Sequence, residues 1–269
     1  PKGILLLGVP GCGKSLTAKC IASEWKQPLL KLDIGKVFQA EVGSSENNIR
    51  QALSTAEAIA PCVLWIDEIE KGLSTARGER DGGTNSRVFS TILTWMQERK
   101  KPVFVVATAN KIESLAPELL RKGRFDEIFF IDLPTPEERY NIFRIHLAKF
   151  HQNGIKNLDE LVNNTRGFNG AEIEETVKEA MFIAYVENPD CRQIEERHLL
   201  ESAKQVVPLV QTMCNEIKQL RAKAKDRKAR LASLKPNEEA IESEEPIPAL
   251  ILGRNSDIDS DNDIFNQNN

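Results

Sequence analysis

The sequence predicts a doubly wound α/β fold, a five-stranded parallel sheet wrapped by helices, followed by a smaller all-α domain. Three observations carry this. Over residues 1–133, short apolar runs rich in β-branched and aromatic residues alternate with stretches of helical periodicity. Four of the five runs are near-continuously apolar, as strands covered on both faces require. Beyond Pro134 and Pro136 the alternation stops and only helical spacing remains.

In order, the strands are expected at residues 4–7, 29–32, 62–66, 103–107 and 128–131, with helices near 14–25, 45–59, 85–99 and 114–121. The all-α part is expected to hold helices near 137–151, 157–164, 170–187 and 195–206. Gly167 and Gly170 punctuate the turn before its long third helix, which opens at Asn169 or Gly170. A last helix is expected over 209–231, because Val210, Met213, Ile217, Leu220, Ala224 and Leu231 recur three or four apart with a break at Arg227. At 1.5 Å per residue it would be ~33 Å long. After Pro236 the chain is rich in Glu, Asp, Asn and Ser, and disorder is expected. The boundaries read as 1–133, 134–208, a basic helical segment 209–235 and an acidic tail 236–269.

Composition narrows the function. Lys and Arg number 36 against 40 Asp and Glu among 269 residues, a net charge of −4. No apolar run approaches the ~18 residues of a membrane span, so an integral membrane protein is not expected. The chain opens at Pro1 straight into an apolar run, with no basic-then-apolar leader, as a piece of a longer chain would. The five cysteines form no C-x-x-C pair and lie near no His at ligand spacing; small buried or semi-buried thiols in a reducing compartment are expected, not a disulfide frame or a zinc site. Residues 216–231 carry a net charge of +5 and residues 237–269 a net −8. Such a basic segment can bind nucleic acid or an anionic surface. Without interleaved aromatics to stack bases, that reading is weaker than a solvated helix face with the acidic tail as its partner.

Gly8-Val9-Pro10-Gly11-Cys12-Gly13-Lys14-Ser15 fits G-x-x-x-x-G-K-[ST], the Walker A pattern, directly after a strand and opening a helix. Glycines let backbone N–H groups curl around a phosphate, and the helix N-terminus adds positive potential. Lys14 would reach the β- and γ-phosphates of a nucleotide and Ser15 would offer its hydroxyl to Mg²⁺; Leu16 closes the nucleotide-binding stretch that starts at Gly8. Asp67 and Glu68 end the third strand, the Walker B position. In a parallel sheet the ligand lies beyond the carboxyl ends of the strands, so both would face the phosphates. Asp67 suits Mg²⁺, directly or through water, and Glu68 suits a base that orients the attacking water. Asn110 ends the next strand in the same crevice, where an amide can hold that water or sense the γ-phosphate. Arg121 and Arg124 flank Gly123 before the last strand; they read equally as surface ion pairs or as arginines offered to a neighbour's phosphates, and a finger of that kind is worth ~10³–10⁵ in rate.

The ordered set GVPGCGKS, LWIDE, VVATAN, LLRKGRFDEIFF and GFNGAE resembles the AAA family of AAA+ ATPases over roughly residues 1–207. Finer detail, notably APCVLWIDEIEKG and PELLRKGRFDEIFFIDLP, resembles a subgroup from cyanobacteria and algal plastids. The resemblance implies a P-loop NTPase fold with an all-α lid, ATP and Mg²⁺ at a subunit interface, and a homo-oligomeric ring, a hexamer. It implies Asn110 as the first sensor, Arg121 and Arg124 as paired arginine fingers, Gly170 and Ala171 as the lid turn against adenine and ribose, and His146 as a nucleoside contact. His146 reads equally as an amphipathic-helix residue. The plastid stroma, or the cytoplasm of a cyanobacterium, is the implied compartment.

Two departures stand out. Where many ring unfoldases place a pore aromatic, this chain has Glu41, with Phe38 three residues upstream; Glu70 stands where Asp is common. The expected activity is ATP hydrolysis that remodels a protein partner. A nucleotide-dependent scaffold with slow turnover and no threading is the alternative, which Glu41 favours. A GTPase is not expected, since Asn110-Lys111-Ile112-Glu113 lacks the final Asp of a guanine-reading motif.

Overall fold

The computed structural model describes residues 1–35, 44–71, 82–115, 119, 123–152, 154–155, 157–190 and 193–237. Phe38, Glu41, Arg121, Cys191 and the tail beyond 237 lie outside these. The elements in order are β1 (Gly3–Gly8), α1 (Lys14–Glu24), β2 (Leu29–Asp33), α2 (Ser44–Ala58), β3 (Cys62–Asp67), α3 (Gly82–Glu98), β4 (Val103–Ala109) and β5 (Glu127–Ile131). There follow α4 (Pro136–Lys149), α5 (Asp159–Asn164), α6 (Gly170–Glu187), α7 (Glu196–Gln205), α8 (Leu209–Thr212), α9 (Cys214–Asp226) and β6 (Arg230–Leu231).

The sheet is parallel throughout, in the order β2-β3-β4-β1-β5-β6. Its strands alternate between two buried faces. Leu6, Val63, Trp65 and Val106 meet Ala18 and Ala22 of α1 on one side. Leu5, Leu7, Leu64, Ile66, Val105 and Ala107 meet α2, α3 and α9 on the other. That double covering explains why the strand sequences are apolar without a break. The register brings Gly8, Asp33, Asp67, Ala109 and Ile131 to one edge of the sheet, and β4 sits between β1 and β3.

Two expectations are corrected here. The sheet has six strands, not five, and residues 209–231 are not one helix. Met213, at φ −123 and ψ 30, separates α8 from α9, and beyond Asp226 the chain turns at Lys228 (φ 54) into β6. The cause is tertiary. Ile217, Leu220 and Ala224 are buried in the α/β core, so the apolar stripe faces the sheet. The edge of β5 would otherwise present bare backbone groups. β6 covers it, and the Ala232 N–H donates to the Phe130 carbonyl at 2.9 Å. Of the helix expected near 114–121, Ile112–Ser114 form a 3₁₀ turn, and residues 116–118 and 120–121 lie outside the described residues.

The lid has its own core around Phe143, Leu161, Phe168, Ile173, Val177 and Leu199. Its first helix starts with a capping box: Thr135 Oγ1 accepts from the Glu138 N–H and Glu138 Oε2 accepts from the Thr135 N–H, with Pro136 in the first turn. Arg139 is fully buried there, donating to the carbonyls of Pro134 (3.2 Å) and Val162 (2.9 Å), so the connection from β5 is pinned to the lid.

Candidate functional site

The loop between β1 and α1 follows from its glycines. Gly8, Gly11 and Gly13 have φ of 153, 77 and 91, in or near the left-handed region that other residues avoid. At Gly8 a Cβ would come within 1.9 Å of the Ile131 carbonyl oxygen, so only glycine lets β1 leave the sheet beside β5. The loop curls and α1 begins at Lys14.

A cavity of about 430 Å³ opens at the carboxyl edge of the sheet, lined by Pro10, Gly11, Gly13, Lys14, Ser15, Leu16, Asp67, Glu68, Thr108 and Asn110. Lys14 is buried, with Nζ donating to the carbonyls of Gly8 (2.9 Å) and Val9 (2.7 Å). Burial lowers its pKa from the ordinary lysine value, against the carboxylates of Glu70, Asp67 and Glu68. Cys12 lies in the same loop, where burial pushes its thiol up to about 12.

Asp67 Oδ1 accepts from Thr108 Oγ1 at 2.7 Å and from Ser15 Oγ at 3.3 Å, and its other oxygen pairs with Lys31 at 3.3 Å. Glu68 sits at φ 49, its N–H donating to Thr108 Oγ1 at 3.0 Å. Asn110 Nδ2 donates to Glu68 Oε1 at 3.1 Å, and Lys71 pairs with the other oxygen. Asn110 is itself held from behind: its N–H donates to Glu70 Oε1 at 2.8 Å. Glu70 is 6% exposed, and burial raises its pKa despite that hydrogen bond.

The lid reaches the loop through the turn that opens α6. The Ala171 N–H donates to the Gly11 carbonyl at 3.1 Å, and a Cβ on Gly11 would meet the Asn169 side chain at 2.7 Å. The structure therefore brings together the whole stretch from Gly8 to Leu16, with Val9 buried behind it, and Asp67, Glu68, Asn110, Gly170 and Ala171. Arg124 and His146 do not line the cavity. Arg124 is half-buried on the turn before β5. His146 lies on α4, its Nδ1 buried and without a hydrogen-bond partner among the described residues; burial lowers its pKa, with Glu174 acting the other way. Arg121 lies outside the described residues.

Sequence reasoning missed Thr108, which joins Asp67 to the Glu68 backbone, and Lys31 beside Asp67. Thr108 could have been found as the polar residue near the carboxyl end of β4, two before Asn110, and Lys31 as the one charge in the run 29–32.

Residues 4–133 match the family described as "ATPase family associated with various cellular activities (AAA)", and residues 156–201 match the "AAA+ lid domain". The chain belongs to the AAA family. It is 52% identical over 235 residues to an uncharacterized AAA domain-containing protein, ycf46, of Guillardia theta, and 50% identical over 236 residues to the ycf46 protein of Pyropia yezoensis. These matches take in 87% of this chain and 46% and 47% of those proteins, so the chain spans about half the length of these relatives. Among solved structures, the FIGL-1 AAA domain in complex with ADP superposes with a TM-score of 0.71 at 26% identity, over 84% of this chain and 78% of that one. As an AAA chain it has the α/β P-loop fold with a helical lid. No helix among the described residues is long and apolar enough to cross a membrane.

Proposed function

We propose that this chain binds ATP with Mg²⁺ at the loop from Gly8 to Leu16 and hydrolyses it, as a subunit of a homo-oligomeric ring that remodels a protein partner. One observation carries the reading: Lys14 and Ser15 at the start of α1, and Asp67, Glu68 and Asn110 at the carboxyl ends of β3 and β4, converge on one cavity beside a glycine loop and a helix N-terminus. Loop amides and Lys14 would hold the β- and γ-phosphates, Lys14 turning from the loop carbonyls to the phosphate oxygens.

The oxygens present fit Mg²⁺. Ser15 Oγ and Asp67 Oδ1 meet at 3.3 Å, a hydroxyl and a carboxylate of the kind a hard cation takes. When bound, Mg²⁺ would neutralise charge developing on the phosphates. Glu68 would orient the attacking water and take its proton, with Asn110 holding that carboxylate in place.

Arg124, with Arg121, would act on the ATP of the next subunit, and Gly170 and Ala171 would bring the lid against the nucleotide. We assign residues 1–133 to nucleotide binding and 134–208 to the lid, with hinge motion at residues 132–136. The solved FIGL-1 domain carries ADP, which supports a nucleotide of this class. The likeness to algal ycf46 proteins supports a plastid location.

The test is a pair of variants. Glu68→Gln should keep ATP binding and lose turnover by about 10²–10⁴-fold, the usual worth of a general base. Lys14→Ala should lose binding itself. Normal steady-state hydrolysis by Glu68→Gln would remove Glu68 from its role, and unaltered ATP affinity in Lys14→Ala would remove the site.

A further inference from the structure

Glu172, the third residue of α6, joins two parts of the chain that are distant in sequence. Its Oε2 accepts the N–H of Asn169 at 2.7 Å, and its Oε1 accepts the N–H of Leu209 at 2.6 Å. The first bond closes the capping box of α6, in which Asn169 Oδ1 accepts from the N–H groups of Ala171 and Glu172, each at 2.9 Å. This is the turn whose Ala171 N–H bonds to Gly11 of the phosphate loop.

The second bond reaches the segment by which the chain returns from the lid to the α/β domain. Leu209, Val210 and Met213 pack on the α/β core, and Val210 lies over Gly167, where a Cβ would come within 2.7 Å of it. Beyond it, Arg221 pairs with Asp132 at 2.9 Å, and Asn237 Nδ2 donates to the carbonyls of Leu133 and Pro134, both at 3.2 Å. The returning chain thus grips the connection about which the lid would turn.

Both groups that meet the Glu172 side chain are N–H donors. A carboxylate offers an acceptor to each; an amide of the same shape has one oxygen and would set its NH₂ against the other donor. The residue type is therefore specific to the arrangement. We infer that Glu172 is a positioning residue that holds the Asn169–Ala171 turn against the phosphate loop and couples nucleotide occupancy there to the returning segment, α9 and β6. The inference rests on the reading of the Gly8–Ser15 loop as an ATP site. A shift of Gly11 on phosphate binding moves the Ala171 turn, and the same carboxylate carries that movement to the Leu209 N–H. The C-terminal helix and strand are then the part of the molecule that reports nucleotide state.

The experiment uses the 269-residue chain with MgATP and reads two quantities. Amide exchange at Leu209 and along α9 in the wild type should slow at least threefold with saturating MgATP. Glu172→Gln should abolish that response and raise KM for ATP about fivefold while kcat stays within twofold, since the bridge acts on binding rather than on the transition state. Exchange at Leu209 that ignores MgATP in a wild type that binds it overturns the coupling, whether or not the variant folds. A wild-type KM in Glu172→Gln overturns the positioning role. Lys14→Ala separates this from the underlying reading: if it binds MgATP like the wild type, the site itself is lost and the coupling with it.

Discussion

Glu70 shows how a single side chain can serve the site at a cost to stability. Its carboxyl is buried, one oxygen accepts the Asn110 N–H, and the other meets no hydrogen-bond partner among the described residues. Burial raises its pKa above the ordinary 4.5. Between 4.5 and the folded value the unfolded chain has lost this proton while the folded chain keeps it, so this group's contribution to stability falls as pH rises through that window. Glu70→Gln keeps an acceptor for Asn110 and removes the charge. It should raise the melting temperature at neutral pH, with the gain vanishing as pH falls below 4.5, in thermal melts run across that range. The sequence marks Glu70 only as a departure from Asp; its partner Asn110, just past β4, is forty residues away and becomes a neighbour only once β3 and β4 pair.

At the scale of elements, α9 carries the clearest lesson. Its seven basic neighbours over 216–231 suggest a surface for nucleic acid, yet Arg221, Lys223 and Arg230 pair with Asp132, Glu113 and Glu127 of the α/β domain. Its apolar stripe is core. Ile217→Ala should therefore destabilise the chain by about 2–5 kcal/mol, the cost of emptying a packed site, while Lys218→Ala on the exposed face should stay within about 0.5 kcal/mol. Chemical denaturation followed by circular dichroism measures both. Equal effects would mean that α9 does not dock. The stripe was legible from its spacing, but a stripe does not say what it faces, and the strand at 230–231 exists only because β5 has an edge to fill.

For the whole molecule, Arg124 is not part of the lining of the cavity that Lys14, Asp67 and Glu68 share. If Arg124 acts on a neighbour's phosphates, Arg124→Ala should bind ATP normally, lose hydrolysis by ~10³-fold or more, and regain part of it when mixed with Lys14→Ala subunits, which cannot bind ATP but still present Arg124. Mixed subunits with no recovery in a steady-state phosphate-release assay would place Arg124 in a surface ion pair. The lid and the α/β domain are joined twice, through residues 132–136 and through the returning segment after α7. Motion between them must strain both connections.

What the amino-acid order determined unaided was the local chemistry: the parallel strands, because double burial demands unbroken apolar runs, and the glycine loop with its lysine and serine, because contiguous residues carry it. Asp67, Glu68 and Asn110 were legible because strand ends in a parallel sheet share one edge. Tertiary structure alone decided the rest. Thr108 between Asp67 and Glu68, Glu70 behind Asn110, Glu172 between the lid turn and Leu209, and the sixth strand all depend on contacts between distant segments. No local propensity or spacing encodes such contacts, since the partners become neighbours only after the core has packed.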